Sequence, residues 1–320
     1  MIPKQHTLNT PYLVGPVHCY SAEFDGELVL FDCGPPSDKA LAQLQLEIPI
    51  ESLRHIVISH CHVDHYGLAA QLQRETGAHL YLPYRDHLRL SRPQKHIAGL
   101  IDLLRQAGFP DKFLAAFNEH ISIPDLIYPT PPADYLIAEQ DLPARLGISA
   151  LPCPGHSQSD LALCGQNWAV TGDMMLAGIF QAPVLEIDLL TGQRFSNYQA
   201  YCTSLERMAT LRDKTILPGH RQRVTSVADC LVFYLNKLFS RAERVRQYPA
   251  ASPYEIVENL RGINYELPYA TYAKASEIIF IRDFLADPDR LKTATINAGL
   301  YPLLADQLSA FTADEARRAS

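Results

Sequence analysis

One short segment constrains this chain more than any other: His60-Cys-His-Val-Asp-His65 sets three imidazoles and a carboxylate between an apolar run and a helix-forming stretch. The run before it, His55-Ile-Val-Ile-Ser59, is short, continuous and rich in β-branched residues, as suits a strand buried on both faces. The stretch after it, Gly67 to Thr76, reads as a helix. The segment therefore sits at the carboxyl end of a strand, where sites form in α/β folds. In extended backbone, residues two apart point the same way, so His60 and His62 can approach one ion together. Asp64 and His65 stand at the turn into the helix and diverge enough to reach a second ion. Imidazole mixed with carboxylate suits zinc, and iron or manganese as well. Alternation turns Cys61 away from its neighbours, so a small buried residue is expected there.

Three further signals follow at apparent loops: Pro154-Gly-His156, Thr171-Gly-Asp173 and Leu217-Pro-Gly-His220. In each, the candidate ligand directly follows a glycine, which permits a tight turn. Taken singly, a Pro-Gly-His tripeptide is an ordinary turn. Taken together, in this order after the first segment, they are specific. The other seven histidines (His6, His18, His55, His79, His87, His96 and His120) read as structural or solvated.

The surrounding texture is that of an α/β domain. Glu27-Leu-Val-Leu-Phe31 reads as a buried strand, Ser37 to Glu47 as a helix with Pro49 past its end, and His79-Leu-Tyr-Leu82 as another strand. From about residue 85 to 135 the rhythm changes. Ile97, Leu100, Ile101 and Leu104 form a helical stripe, Gly108 and Pro110 stop it, and Asp111 to His120 reads as a second helix. A connection with Pro129, Pro131 and Pro132 returns to strands near Ile148–Leu151, Leu161–Cys164 and Trp168–Val170. The helical pair reads as an insertion over the mouth of the α/β domain. Past His220 the chain turns helical: Val227, Leu231, Tyr234, Leu235 and Leu238 share one face, Ser252-Pro-Tyr-Glu255 is a helix start, and a further helix covers Tyr272 to Leu285. The expected division is a catalytic part over 1–225 and a helical extension over 226–320, with the last fifteen residues frayed.

Composition narrows the class. The 320 residues are 47% hydrophobic and 20% charged, a globular balance. A net charge of −7 argues against nucleic acid as the main partner. The seven scattered cysteines read as reduced thiols rather than a disulfide framework. With no leader pattern at the start and no run of 18 apolar residues, a soluble, cytoplasmic protein away from membranes is expected.

The ordered set His60-x-His62-x-Asp64-His65, His156, Asp173 and His220 resembles the ligand set of the metallo-β-lactamase-fold hydrolase superfamily, over roughly residues 10 to 225. The resemblance implies a four-layer αββα sandwich with two divalent ions, zinc first among them, at one edge. It assigns His60, His62 and His156 to the first ion, Asp64, His65 and His220 to the second, and Asp173 to both. Asp32, in Phe31-Asp-Cys-Gly34, matches an aspartate lying beneath the site, where such partners fix imidazole orientation. The implied chemistry is hydrolysis by a metal-bridging hydroxide, a shared water having its pKa lowered from ~15.7 toward ~7, with Asp64 or Asp173 taking or relaying the proton.

Within the superfamily, Asp173 sets the chain apart from true metallo-β-lactamases, and His62 from diiron flavoproteins, which carry glutamate there. The remaining resemblance is to glyoxalase II-type thioesterases, acyl-homoserine lactonases, quorum-sensing effector thioesterases and the β-lactamase-like protein 2 group, whose small winged-helix-like extension is similar to the C-terminal pattern here. Arg241, Arg244 and Arg246 are offset by Glu243 and read as a solvated helix face, so the extension is expected to close the pocket or pack against a second subunit, which leaves a homodimer open. The expected activity is hydrolysis of a small acyl substrate, a thioester or lactone. The alternatives are a phosphodiesterase on the same centre, or a regulatory protein that retains the site.

Overall fold

Side chains that alternate between two faces build this fold as stacked layers. The structure, a computed structural model, describes all residues except 13, 124, 125, 127–131, 133, 182, 319 and 320, and the side chains of 313–318. Pro129 and Pro131 of the expected proline-rich connection lie outside the described residues. Strands β1 (Lys4–Leu8), β2 (Val17–Phe24), β3 (Glu27–Phe31), β4 (Leu53–Val57), β5 (His79–Leu82) and β6 (Leu136–Ile137) form one sheet in that spatial order. Its first two pairings are antiparallel and its last three parallel. Strands β7 (Ser149–Pro152), β8 (Leu161–Cys164), β9 (Trp168–Gly172) and β10 (Thr215–Pro218) form the second in the order β10-β9-β8-β7, with β9 and β10 parallel.

Val29, Phe31, Val57 and Tyr81 from the first sheet meet Leu161, Leu163, Trp168, Val170 and Leu217 from the second. Their neighbours in sequence face outward. Leu28 and Leu30 pack with Leu41 and Leu44 of helix α1 (Asp38–Glu47), whose N-cap Ser37 accepts from the Ala40 N–H. Ala162, Cys164 and Ala169 pack into a helical layer on the far side. The result is the expected αββα sandwich.

Near the decisive segment the chain departs from the expected single helix. A short α2 (Val63–Tyr66) carries Asp64 and His65, and α3 (Ala69–Thr76) follows, ending at Gly77 with φ 70. The insertion holds three helices, α4 (Tyr84–Ser91), α5 (Pro93–Gln106) and α6 (Asp111–Ile121), where the sequence suggested two. A short α7 (Ala138–Asp141) leads to β7, and α8 (Asn197–Ala209) covers the second sheet. After β10 come α9 (Val227–Val245), α10 (Pro253–Arg261), α11 (Pro268–Ala286), α12 (Pro288–Asn297) and α13 (Ala305–Arg318). The capping box at Ser252 and Glu255 forms as read. No strand follows β10 among the described residues, so none is present to build a wing. Helix α13 runs through Arg318 over the stretch expected to fray, with Leu308 and Phe311 buried in its first half.

The insertion and the C-terminal helices share one apolar cluster. It includes Leu100, Leu104, Phe113 and Phe117 with Leu235, Leu238, Tyr272, Phe280 and Phe284. The ring centroids of Phe117 and Tyr272 lie 4.9 Å apart. All seven cysteines are free. No described helix is long and apolar enough to cross a membrane.

Candidate metal centre

The end of β4 releases an extended stretch toward the site, and His62, at φ −75 and ψ 150, caps α2. His60 and His62 consequently point together, with His60 Nε2 2.9 Å from His62 Nδ1. The loop after β7 brings His156 to the same place, its Nε2 3.0 Å from His62 Nδ1. Three imidazole nitrogens thus face one point, and neutral rings cannot all donate to one another. Burial and the neighbouring His65 and His62 hold the His60 imidazolium well below its ordinary pKa. Burial, with His156 beside it, pushes His62 down to about 3. Rings kept neutral keep the lone pairs a cation needs.

Asp64, His65 and His220 form a second cluster, with His220 Nε2 3.2 Å from Asp64 Oδ2. Both of these rings are oriented from behind. His65 Nδ1 donates to Asp32 Oδ2 at 2.9 Å, and His220 Nδ1 to the Pro16 carbonyl at 2.7 Å, so each Nε2 faces the site. Asp173, at the end of β9, stands between the clusters. Its Oδ1 lies 3.3 Å from His65 Nε2 and 3.5 Å from His220 Nε2, and its Oδ2 3.8 Å from His156 Nε2. Burial opposes charge on this carboxyl, yet the neighbouring His65 and His220 hold it well below the usual range. Burial likewise disfavours the His65 imidazolium, and Asp173 and Asp64 outweigh that and raise it well above its ordinary value.

These residues fit divalent cations. His65 Nε2, His220 Nε2 and Asp173 Oδ1 are buried with no hydrogen-bond partner among the described residues, an arrangement that is costly for polar atoms unless something binds them. Three overlapping triads have donor atoms within 4.8 Å of one another: His60, His62, His156; His60, His65, Asp173; and Asp64, His65, His220. All seven candidate ligands named from the sequence are thereby brought together, and Asp32 lies directly behind His65.

Comparison with known proteins agrees with this geometry. Residues 12–220 match the family model described as the metallo-beta-lactamase superfamily. The chain belongs to that superfamily. Membership of that family, together with the buried histidine and aspartate clusters, supports a metal-dependent hydrolase. The chain is 25% identical to the probable metallo-hydrolase YqjP of Bacillus subtilis (strain 168), over 80% of this chain and 84% of the relative. Among solved structures, the fold is similar to the metallo-beta-lactamase family protein TTHA1429 from Thermus thermophilus (18% identity, TM-score 0.71, 90% of this chain and 94% of that one). It is similar also to a beta-lactamase domain protein from Burkholderia ambifaria (20% identity, TM-score 0.68, 88% and 86%).

Around the superfamily's site stand residues that sequence reasoning did not single out. Ser59 donates from its N–H to Asp32 Oδ1 and from its hydroxyl to Asp32 Oδ2, both at 2.8 Å, and its Oγ lies 3.2 Å from His60 Nδ1. Asp86 and Arg89 of α4 are both buried beside Cys61. A serine before the histidine segment was visible; its link to Asp32, 27 residues earlier, was not. Glycines precede three ligands for different reasons. Gly172 has φ 48, which only glycine adopts freely. Gly219 does not, but a Cβ there would overlap the His65 ring and stand 2.8 Å from Asp173 Oδ1. Cys61 is buried and burial raises its thiol pKa well above ordinary, as befits the expected small inert residue. Of the histidines set aside, His6 pairs with Glu47 and Ser21, His55 with Glu27 and Tyr81, and His18 with the Arg221 carbonyl.

Proposed function

We propose that this chain is a dinuclear metal-dependent hydrolase acting on a small acyl substrate, a thioester or a lactone. The observation that carries the reading is the convergence of seven histidine and aspartate side chains from separate loops, several ending in buried atoms without partners. His60, His62 and His156 would hold one ion, Asp64, His65 and His220 the other, with Asp173 reaching both. Zinc is the ion assigned first; iron and manganese accept the same donors. Ions so held supply acidified water at neutral pH and polarise the substrate oxygen.

The chain's own residues do the rest. Asp32 and the Pro16 carbonyl keep the Nε2 atoms of His65 and His220 aimed inward. Asp64 and Asp173, ionised and buried among imidazoles, are the groups placed to accept or relay a proton. The acyl preference rests on the resemblance of the ligand set to thioesterases and lactonases. The recess beside His156, about 10 Å³ and lined by Cys153, Met174, Tyr201, Met208 and Tyr234, holds about one water and no acyl chain. A second reading, phosphodiester hydrolysis, is favoured by Arg221 and Arg223, exposed directly after His220.

The test is elemental analysis of natively expressed protein, paired with acyl-thioester, lactone and bis-phosphate chromogenic substrates. Two equivalents of metal with thioester or lactone turnover are expected. Turnover of only the phosphodiester would transfer the assignment to the second reading. Absence of bound metal, or two ions without turnover of any substrate, would overturn the enzymatic proposal.

A further inference from the structure

Both polar groups of Cys61, the residue between His60 and His62, are taken by one buried ion pair from a different element. Asp86 Oδ2 accepts from the Cys61 N–H at 2.7 Å, and Arg89 Nη2 donates to the Cys61 carbonyl at 2.8 Å. The pair is closed on itself, with Arg89 Nε and Nη2 donating to Asp86 Oδ1 at 3.0 and 2.7 Å. Asp86 is 4% and Arg89 5% exposed. These contacts grip the two peptide groups that flank the Cys61 α-carbon, one shared with His60 and the other with His62. A rotation of either would swing a ring away from the shared point.

A buried ion pair is a poor device for stability alone, since desolvating two charges offsets most of their attraction and apolar residues of the same size often do as well. It is a good device for fixing one geometry, because a fork of donors and a carboxylate tolerate little displacement. We propose that Asp86 and Arg89 are positioning residues for the three-histidine half of the centre. The other half has separate anchors, Asp32 behind His65 and Pro16 behind His220. Helix α4 is tied in turn to the loop that follows Asp173: Arg85 pairs with Asp188 at 2.6 Å. That loop reaches the neighbourhood of His156, where Glu186 Oε2 accepts from the Gln158 N–H at 2.8 Å. The first half of the site is thus held by the insertion, and the second by the strands and N-terminal loop.

This inference rests on the dinuclear reading above. It is tested by titrating metal-free full-length protein with cobalt, following the visible bands and measuring affinities against a chromophoric chelator. His62→Ala and His220→Ala identify the signature of each half. In Asp86→Ala, binding at the three-histidine half is expected to weaken by about 10–100-fold with a shift of its bands. The His220 half should keep its affinity, and Asp86→Asn, which retains an acceptor for Cys61, should recover part of the loss. Where Asp86→Ala fails to fold, Arg89→Lys serves instead, because a point charge cannot hold Asp86 and Cys61 in one planar fork. Folded variants with a lowered melting temperature but unchanged affinities and bands at both halves would overturn the positioning role. If the unvaried protein binds no cobalt, the dinuclear reading itself fails, and the positioning role falls with it.

Discussion

At the scale of single residues, Asp32 is held in a backbone conformation that side chains usually avoid, φ 53, at a cost of order 1–3 kcal/mol. The return is three hydrogen bonds, from the Ser59 N–H, the Ser59 hydroxyl and His65 Nδ1. Asp32→Ala should therefore leave a folded protein whose second ion binds about 10–100-fold more weakly, read by metal titration; unchanged affinity would remove Asp32 from the site's support. Asp173→Ala deletes the carboxylate that faces both clusters, so loss of both ions and of turnover together is expected, checked by elemental analysis beside an activity assay. A variant that kept two ions and full turnover would refute the shared role. Gly219→Ala separates space from conformation. Its φ is ordinary, so the added methyl acts through the His65 ring and Asp173 Oδ1 alone. Reduced affinity confined to the His65–His220 half is expected, with the melting temperature moving by a few degrees.

At the scale of elements, the segment from Pro183 to Asp188 behaves as a strap, and its glutamate gives it a pH signature. Burial pushes the Glu186 carboxyl up to about 7, against the Gln158 N–H, which favours the ionised form. Between its ordinary value near 4.5 and about 7, the native state binds more protons than the unfolded one, so this group's contribution to stability falls as pH rises. Glu186→Gln keeps an acceptor for Gln158 and removes the titration. The unfolding free energy of the unvaried protein, relative to the variant, should drop by on the order of 3 kcal/mol from pH 4.5 to 7. Parallel pH curves from chemical denaturation would contradict it. Elements such as this strap mark where the sequence stopped being legible. The ligands could be read because glycine turns and strand alternation are local signals. Strand β2 could not, since His18 and Ser21 interrupt its apolar residues although most of the strand is buried. Helix α4 went unread in Tyr-Arg-Asp-His-Leu-Arg, because nothing local says that Asp86 and Arg89 face Cys61. Helix α8 buries Asn197, Tyr198 and Ser204 and so lacks the apolar contrast that marked α5.

At the scale of the molecule, the change of texture near residue 225 suggests a separable extension, whereas the packing argues for one cooperative unit. Rings from the first 225 residues find their partners beyond that point. Phe109 meets Tyr254 at 5.3 Å, Phe180 and Tyr201 meet Tyr234 at 4.4 and 5.0 Å, and Tyr198 meets Phe280 at 5.8 Å. Uncovering a large apolar side chain costs about 1.5–3 kcal/mol, so exposing even five approaches the whole margin of a domain, about 5–15 kcal/mol. A chain ending at residue 225 is accordingly expected to lack a cooperative denaturant transition and to bind a hydrophobic dye, while the full chain unfolds in a single step. The consequence reaches the metal centre, because Tyr201 packs against Gly155 beside His156 and Tyr234 lines the same recess. A truncated protein that folded cooperatively and held both ions would show instead that the C-terminal helices are an accessory domain, and that the centre depends on the two sheets and the insertion alone.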